Sequence, residues 1–398
     1  MGIVLFTITS AMTSTLSVPN PGIQDTHRCQ LSPLAVPERL LLGPGPSNAD
    51  ATVVAAMNRQ PIGHLDPAYL TLMDEVQELL RYAWQTDNAM TYPVPGTGSA
   101  AMEATLANGI EPGDVVLVGV NGYFGHRLVD MARRYGAEVR TITQAWGQPF
   151  SLQELEKALD QHRPNLLALV HAETSTGVRQ PLEGVGDLCH QRDCLLLVDT
   201  VTSLGGMPIF LDAWQVDLAY SCSQKGLSCP PGVSPFTMSS RAVAKLEQRQ
   251  TPVANWYLDA TLLRKYWGSE RVYHHTAPIN LTYALREALR LLAEEGLDAR
   301  WQRHQQTAEK LWAGLEAMGL SCHVAQEFRL PTLTTVRVPD GVEAKAVAQQ
   351  LLLEHNIEIG GGLGDLAGQV WRIGLMGANS YPEKVDTLLQ ALKQVLVP

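Results

Sequence analysis

The 398-residue sequence is poor in charge: Asp, Glu, Lys and Arg make up 18% of it, below the roughly one quarter of an average soluble chain. Disorder maintained by self-repulsion needs the reverse, so it is excluded as the general state. There is no basic run and no interleaving of basic with aromatic residues. With 30 Lys+Arg against 40 Asp+Glu the net charge is −10, which excludes a nucleic-acid backbone as principal partner. The six cysteines (Cys29, Cys189, Cys194, Cys222, Cys229 and Cys322) contain no C-x-x-C pair, and their spacing suits neither a zinc site nor a small disulfide framework. No metal is expected, and a reducing, cytoplasmic setting is. No apolar run approaches the roughly 18 residues of a membrane span. The apolar opening MGIVLFTITS has no basic segment before it, Gly2 lacks the Ser or Thr at position 6 that myristoylation needs, and the closing Leu-Val-Pro is no organelle address. A soluble, untargeted chain without a membrane partner is expected. Also missing are a G-x-G-x-x-G after a first strand and a Walker A loop, which sets aside a nicotinamide dehydrogenase and a P-loop nucleotide site.

What is present points to a large buried core: apolar residues are 45% of the chain. Residues 1–39 show no period and read as an N-terminal arm, either frayed or laid across another subunit. From about residue 70 to 240, short apolar runs alternate with helical patterns. The runs are VVLVG (Val115–Gly119), LLALV (Leu166–Val170), LLLV (Leu195–Val198) and VDLAY (Val216–Tyr220). Continuous apolar runs of this length suit parallel strands covered on both faces. Between them, Ser151 and Glu154 form a capping box ahead of a helix with Leu152, Leu155 and Leu159 on one face. This rhythm predicts an α/β fold with a mainly parallel, doubly wound sheet over residues 40–280. Beyond, helical stretches run from Leu281 to about Glu295 and from about Ala299 to Met318, each ending before a glycine. TLTTVRV (Thr332–Val338), a helix near Glu343–His355, a glycine cluster and WRIGL (Trp371–Leu375) complete a smaller α+β domain, 281–398. No internal repeat is present.

Open α/β sheets bind ligands beyond the carboxyl ends of their strands, and three features fall there. The loop Pro95-Gly96-Thr97-Gly98-Ser99 runs into a helical pattern, so its small residues and the helix N–H groups could approach an anion, although such a turn is commonly only a tight connection. Asp199 directly follows LLLV. Its default role is a cap, yet a carboxylate at the end of an apolar strand needs a cationic or N–H partner, and a protonated heterocyclic nitrogen would serve. Lys225 lies in SCSQKGLSCPPG after VDLAY, bent back by Pro230-Pro231-Gly232. A loop lysine is ordinarily a solvated charge, but an amine held in a walled site can lose its proton and form a Schiff base with a carbonyl.

With these residues in place, the chain resembles the class V branch of the fold-type I pyridoxal-phosphate aminotransferases, in particular the alanine:glyoxylate and serine:pyruvate aminotransferases. The resemblance runs from about Leu40 to the C-terminus. It rests on LLLGPGPSN, PGTGSAAME, GVNGYFGHR, HAETSTGVRQPL, LLLVDTVTSLGG, SCSQKGLSCPPG, YHHTAPI, and IEIGGGLG followed by WRIGLMG. It implies pyridoxal 5′-phosphate as cofactor, with Lys225 as the Schiff-base lysine and Asp199 facing the ring nitrogen. It further implies Thr97, Gly98 and Ser99 on the phosphate, helped by Gln224, and Phe124 stacked on the ring with Val201 on the other face. Thr174 would contact the ring-oxygen region. Tyr273 and Thr276 occupy the places of residues that reach the phosphate from a second subunit, which implies a homodimer. Arg372 would fork onto the substrate α-carboxylate, and Gly45, within the GPGP of Gly43–Pro46, would cap a small pocket. Two departures stand out: Phe124 where many relatives have tryptophan, and Ser99 where some have histidine.

The implied activity is ping-pong transamination between a small amino acid, alanine or serine, and glyoxylate or pyruvate, with a place in glyoxylate metabolism. Alternatives are a phosphoserine aminotransferase, a cysteine desulfurase, or a non-catalytic subunit that keeps the fold. Cys222 and Cys229 read as small buried hydrophobes. His274 and His275, adjacent on an extended segment, are expected to point to opposite faces and to serve packing or an interface. Gly360-Gly361-Gly362 is expected to form a turn beside the substrate entrance.

Overall fold

In the seven-stranded sheet that organises the chain, most strands are so apolar that only burial on both faces suits them. The structure, a computed structural model, describes residue 22 and residues 28–396. The opening MGIVLFTITS and most of the expected arm lie outside the described residues. Residues 28–38 are exposed and outside helix and strand, whereas residues 39–396 form one compact body.

The elements that build the site follow in chain order: helix α1 (Pro67–Trp84), strand β1 (Met90–Pro95), α2 (Gly98–Gly109), β2 (Val115–Val120), α3 (Tyr123–Arg134), β3 (Glu138–Thr143), α4 (Leu152–His162), β4 (Leu166–Val170), β5 (Leu195–Asp199), β6 (Leu218–Tyr220) and β7 (Val233–Met238). The spatial order is β1-β7-β6-β5-β4-β2-β3. The run from β6 to β3 is parallel, and β7 is antiparallel to both its neighbours. The mainly parallel, doubly wound α/β sheet is therefore present. Helix α4 starts on the expected capping box, with Ser151 and Glu154 each bonding the other's backbone N–H.

Three strands carry no clear apolar signal. β1 and β7 contain prolines, which ordinarily argue against an interior strand. Here Pro93 and Pro235 are direct partners in the ladder, a position where neither needs to donate to the other. β3 lies at the edge and is largely exposed, so EVRTIT reads as polar.

Two apolar cores cover the two faces of this sheet. Helix α5 (Ile279–Glu295) lays Ala284, Leu285, Ala288, Leu289 and Leu292 into the second of them. Gly296, with φ of +80°, then turns the chain into α6 (Leu297–Ala317), a left-handed position that favours glycine. A third core lies around the small antiparallel sheet of β8 (Leu333–Arg337), β9 (Gly360–Gly361) and β10 (Val370–Gly374), in the order β8-β10-β9, with α7 (Ala344–His355) and α8 (Pro382–Leu396) against it. The glycine cluster is thus not a turn: Gly360 and Gly361 pair with Arg372 and Trp371 as an edge strand. Leu40 and Leu41 join Ile357 and Glu358 in a short parallel ladder, which draws the Gly43–Pro46 segment beside β10. Among the described residues no helix is long and apolar enough to cross a membrane.

Candidate active site

Beyond the carboxyl ends of the parallel strands lies a cleft of about 200 Å³. Thr97, Gly98, Ser99, Met102, Phe124, Arg127, Val170, Ala172, Thr174, Asp199, Val201, Thr202, Gln224 and Lys225 line it. Five elements supply them. Pro95 ends β1, and Gly96 at φ +121° swings the chain so that Thr97 caps α2. Thr97 makes no side-chain cap bond, so the first N–H groups of α2, which have no partner within the helix, are left for a ligand. A Cβ on Gly98 would lie 3.2 Å from Cys222 Cβ and 3.4 Å from Val201 Cγ2, so glycine lets these backbones close on one another.

From the end of β2 the chain enters α3, whose N-terminus is held by Glu173. This buried carboxylate accepts from Phe124 N (3.0 Å), Gly125 N (3.3 Å), Ser175 N (3.0 Å) and Ser175 Oγ (2.6 Å). Burial, the largest influence, pushes the acid upward, while these bonds pull the other way. The result is a fixed seat for Phe124 on the cleft wall.

Asp199 ends β5. Its Oδ2 accepts from the Tyr220 hydroxyl at 2.6 Å and its Oδ1 from Val201 N at 2.8 Å. Burial nevertheless dominates and pushes the acid up to about 6. Such a carboxylate gains from a cation placed against it. Lys225 follows β6, half-buried, with its ammonium donating to Pro44 O. Burial lowers its pKa below the ordinary lysine value, and the charge of Arg372 acts in the same direction, against Cys222 and Asp199. A lysine so placed releases its proton more readily and becomes nucleophilic.

Arg372 on β10 is 7% exposed. Its Nε donates to Gly361 O at 2.6 Å and its Nη1 to Thr174 O at 3.4 Å. Among the described residues it has no carboxylate in ion-pair contact; burial lowers its pKa to about 10, with distant Glu173 opposing. A buried guanidinium without a carboxylate is a seat for an external one. Gly45 lies against the amine: at φ +110° it has no side chain, and a Cβ there would collide with the Lys225 side chain.

The structure therefore gathers Thr97, Gly98, Ser99, Phe124, Thr174, Asp199, Val201, Gln224 and Lys225 around one cleft, with Gly45 and Arg372 at its margin. Tyr273 and Thr276 do not line it; both are exposed, Tyr273 at 55%. His274 and His275 do not diverge as expected. Their ring centroids are 5.1 Å apart, packed against Trp256, Tyr257 and Tyr266, because this stretch is not a strand. Cys222 and Cys229 are buried free thiols, and burial drives Cys222 up to about 12. Three participants had weaker signals. Arg127 is one helical turn beyond Phe124, Tyr220 is the last residue of an apolar strand, and Glu173 is a lone acid in an otherwise neutral segment.

The residues present fit a phosphorylated pyridine aldehyde. Gln224 lines the cleft with its amide oxygen buried and without a partner, so the amide is free to turn its NH2 toward an anion; the open end of α2 suits a phosphate, Asp199 suits a protonated ring nitrogen, and Lys225 suits the aldehyde. Comparison with known proteins agrees. The profile of the aminotransferase class-V family matches residues 41–383. The crystal structure of an alanine–glyoxylate aminotransferase from Nostoc sp. is 72% identical, with a TM-score of 0.94 over 94% of this chain and 100% of that one. The mouse (Mus musculus) alanine–glyoxylate aminotransferase is 47% identical over 368 residues, 92% of this chain and 89% of its own length. The (S)-ureidoglycine–glyoxylate transaminase of Bacillus subtilis is 37% identical over 382 residues, 92% of each. With the lysine, the aspartate and the open helix end gathered at one cleft, the chain belongs to the class-V aminotransferases, a family of pyridoxal-phosphate-dependent enzymes.

Proposed function

We propose that this enzyme moves the amino group of alanine or serine to glyoxylate or pyruvate, in two alternating half-reactions at the cleft. The observation that carries the reading is that Lys225 and Asp199 line one cleft, with Arg372 bonded to the cleft residue Thr174 and, among the described residues, without an ion pair to a carboxylate. The names of the relatives favour glyoxylate as acceptor.

In this reading Thr97, Gly98, Ser99 and Gln224 hold the cofactor phosphate, Phe124 and Val201 enclose its ring, and Thr174 meets its ring oxygen. When bound, the cofactor supplies an electron sink for the pair left on the substrate Cα once its proton is removed. Arg372 grips the substrate carboxylate and so presents the Cα–H to Lys225. Lys225 Nζ, its pKa lowered by burial, would take and hold that proton, and the reverse half-reaction would use the same nitrogen to give it back. Asp199 keeps a charge opposite the ring nitrogen. Gly45 leaves the amine room to move and leaves the substrate side chain little.

The exposed aromatic surface of Trp256 (62%), Tyr257 (42%) and Tyr273 (55%) supports a homodimer in which Tyr273 and Thr276 complete the partner's phosphate site. Residues 40–280 then act as the cofactor-binding domain and 281–398 supply the arginine, within the cytoplasm. A desulfurase is disfavoured because Cys222, the cysteine beside the lysine, is buried with its thiol pushed up to about 12, unlike the thiolate such chemistry needs.

The test is direct. Borohydride reduction of the holoenzyme followed by peptide mass spectrometry should find the cofactor on Lys225. Steady-state kcat/KM should favour alanine or serine with glyoxylate over phosphoserine, without sulfide release from cysteine. An unmodified Lys225, or a Lys225→Ala variant that still carries out half-transamination, would sink the proposal.

A further inference from the structure

We infer that Arg127 is a positioning residue for the anion-binding end of the cleft: it commits the Ser99 hydroxyl to donate into that end. The inference rests on the reading above, in which the cofactor phosphate sits at the start of α2.

Arg127 Nη1 donates to Ser99 Oγ at 3.1 Å. Its guanidinium carbon lies 4.8 Å from the Phe124 ring centroid and 5.5 Å from that of Tyr123, within cation–π range. Arg127 lines the cleft, and among the described residues it makes no ion pair with a carboxylate. Its charge thus has no carboxylate in direct contact and acts on Asp199 only through space.

A serine hydroxyl has one proton to give and two lone pairs to offer, whereas a guanidinium can only donate. The contact therefore occupies a lone pair of Ser99 and leaves its proton for another acceptor. Among the described residues the Ser99 hydroxyl has no protein acceptor of its own. Since Ser99 lines the cleft, an anion seated there is the acceptor, and a donor already bonded to a cation donates more strongly. Charge supports the same conclusion. Among the described residues lining the cleft only Arg127 and Lys225 are cationic, and Lys225 has separate work at the aldehyde. A phosphate enclosed with Asp199 across the cleft needs a positive charge that stays put, and a guanidinium never loses its proton.

The experiment measures affinities of the cofactor-free protein for pyridoxal 5′-phosphate and for pyridoxal, which lacks the phosphate, by absorbance titration. Wild type, Arg127→Gln, Ser99→Ala, the double variant and Arg127→Lys are compared, with thermal unfolding to confirm that each is folded. Arg127→Gln is expected to weaken pyridoxal phosphate about tenfold, equivalent to about 1.4 kcal/mol, and to change pyridoxal by less than about twofold. Because Arg127 acts through Ser99, the double variant should lose less than the product of the two single losses. Arg127→Lys, which keeps a donating cation, should recover most of the affinity. Equal loss for both compounds would assign Arg127 to packing under Phe124 and overturn the inference, as would multiplicative losses in the double variant. An unfolded Arg127→Gln paired with an Arg127→Lys that binds no better than Ser99→Ala would overturn it too. A wild type that takes up neither compound removes the cofactor reading itself, a different failure from a wild type that binds both while Arg127→Gln matches it.

Discussion

Tyr220 donates its hydroxyl to Asp199 across two neighbouring parallel strands, at 2.6 Å and in direct register. The bond holds one carboxylate oxygen in place, and Val201 N holds the other. Even so, burial leaves the acid raised to about 6. A cofactor-free protein keeps this carboxylate charged at neutral pH against its surroundings.

That strain has a sign. A group whose folded pKa lies above its unfolded value, about 3.9 for Asp, stabilises fully below the unfolded pKa. The contribution is lost as pH rises through about 6. Cofactor-free wild type should therefore lose stability relative to Asp199→Asn between pH 4 and pH 7, by roughly 2 kcal/mol. Guanidinium denaturation of both proteins across that range checks it, and a difference independent of pH would refute the assignment.

Gly45→Ala places a methyl group into the Lys225 side chain, at a φ of +110° that L residues rarely adopt. The backbone strain costs about 1–3 kcal/mol, which a domain of this size survives. Cofactor attachment should suffer more: borohydride labelling of Lys225 is expected to fall by about tenfold or more, one step of about 1.4 kcal/mol. Labelling at the wild-type level would show that the amine has another route to the cleft.

Arg372→Gln removes a guanidinium that has no ion pair of its own among the described residues. The substrate carboxylate then loses a charge-assisted bond worth about 1.5–3 kcal/mol. KM for both the amino acid and the oxo acid should rise about 10- to 100-fold, while cofactor affinity stays unchanged. A matching loss of cofactor affinity would place Arg372 at the wrong ligand.

Arg300 is 6% exposed and donates to Gly205 O at 2.8 Å, to Gly226 O at 2.7 Å and to Glu295 at 2.7 Å. Gly226 follows Lys225, so this buried arginine anchors the catalytic loop from behind. Arg300→Met strands two buried carbonyls, while Glu295 keeps its pair with Arg303 (2.6 and 2.9 Å), and should destabilise by about 2–4 kcal/mol, read by chemical denaturation. A loss under about 1 kcal/mol would mean that water replaces the guanidinium.

Tyr273→Ala tests the proposed dimer. Wild type should sediment as a dimer at micromolar concentration, and the variant should retain cofactor less well on dilution. Unchanged retention would detach Tyr273 from the phosphate site.

Much of the sheet was legible because VVLVG, LLALV and LLLV carry their signal locally: strands covered on both faces have to be apolar throughout. β1 and β7 were not, since proline reads as an interruption until its partner in the ladder is known. Asp199 and Lys225 were legible as polar residues beyond apolar strands. Glu173 and Arg127 were not, because what marks them is a contact with Phe124 N, 49 residues away, or with Ser99, 28 residues away. The glycine cluster carried a turn signature in sequence, but β10 recruits it as an edge strand that feeds a carbonyl to Arg372.

The sequence by itself determined which chemical groups are available and roughly where each leaves the sheet, because hydrophobic periodicity and turn chemistry act over a few neighbouring residues. Only the tertiary structure decided their charge states and partners: Asp199 raised by burial, Lys225 lowered beside Arg372, Gly45 kept bare under the amine. Desolvation and Coulomb interactions depend on distance in space, and the chain brings those atoms together only when β1, β5, β6 and β10 have packed.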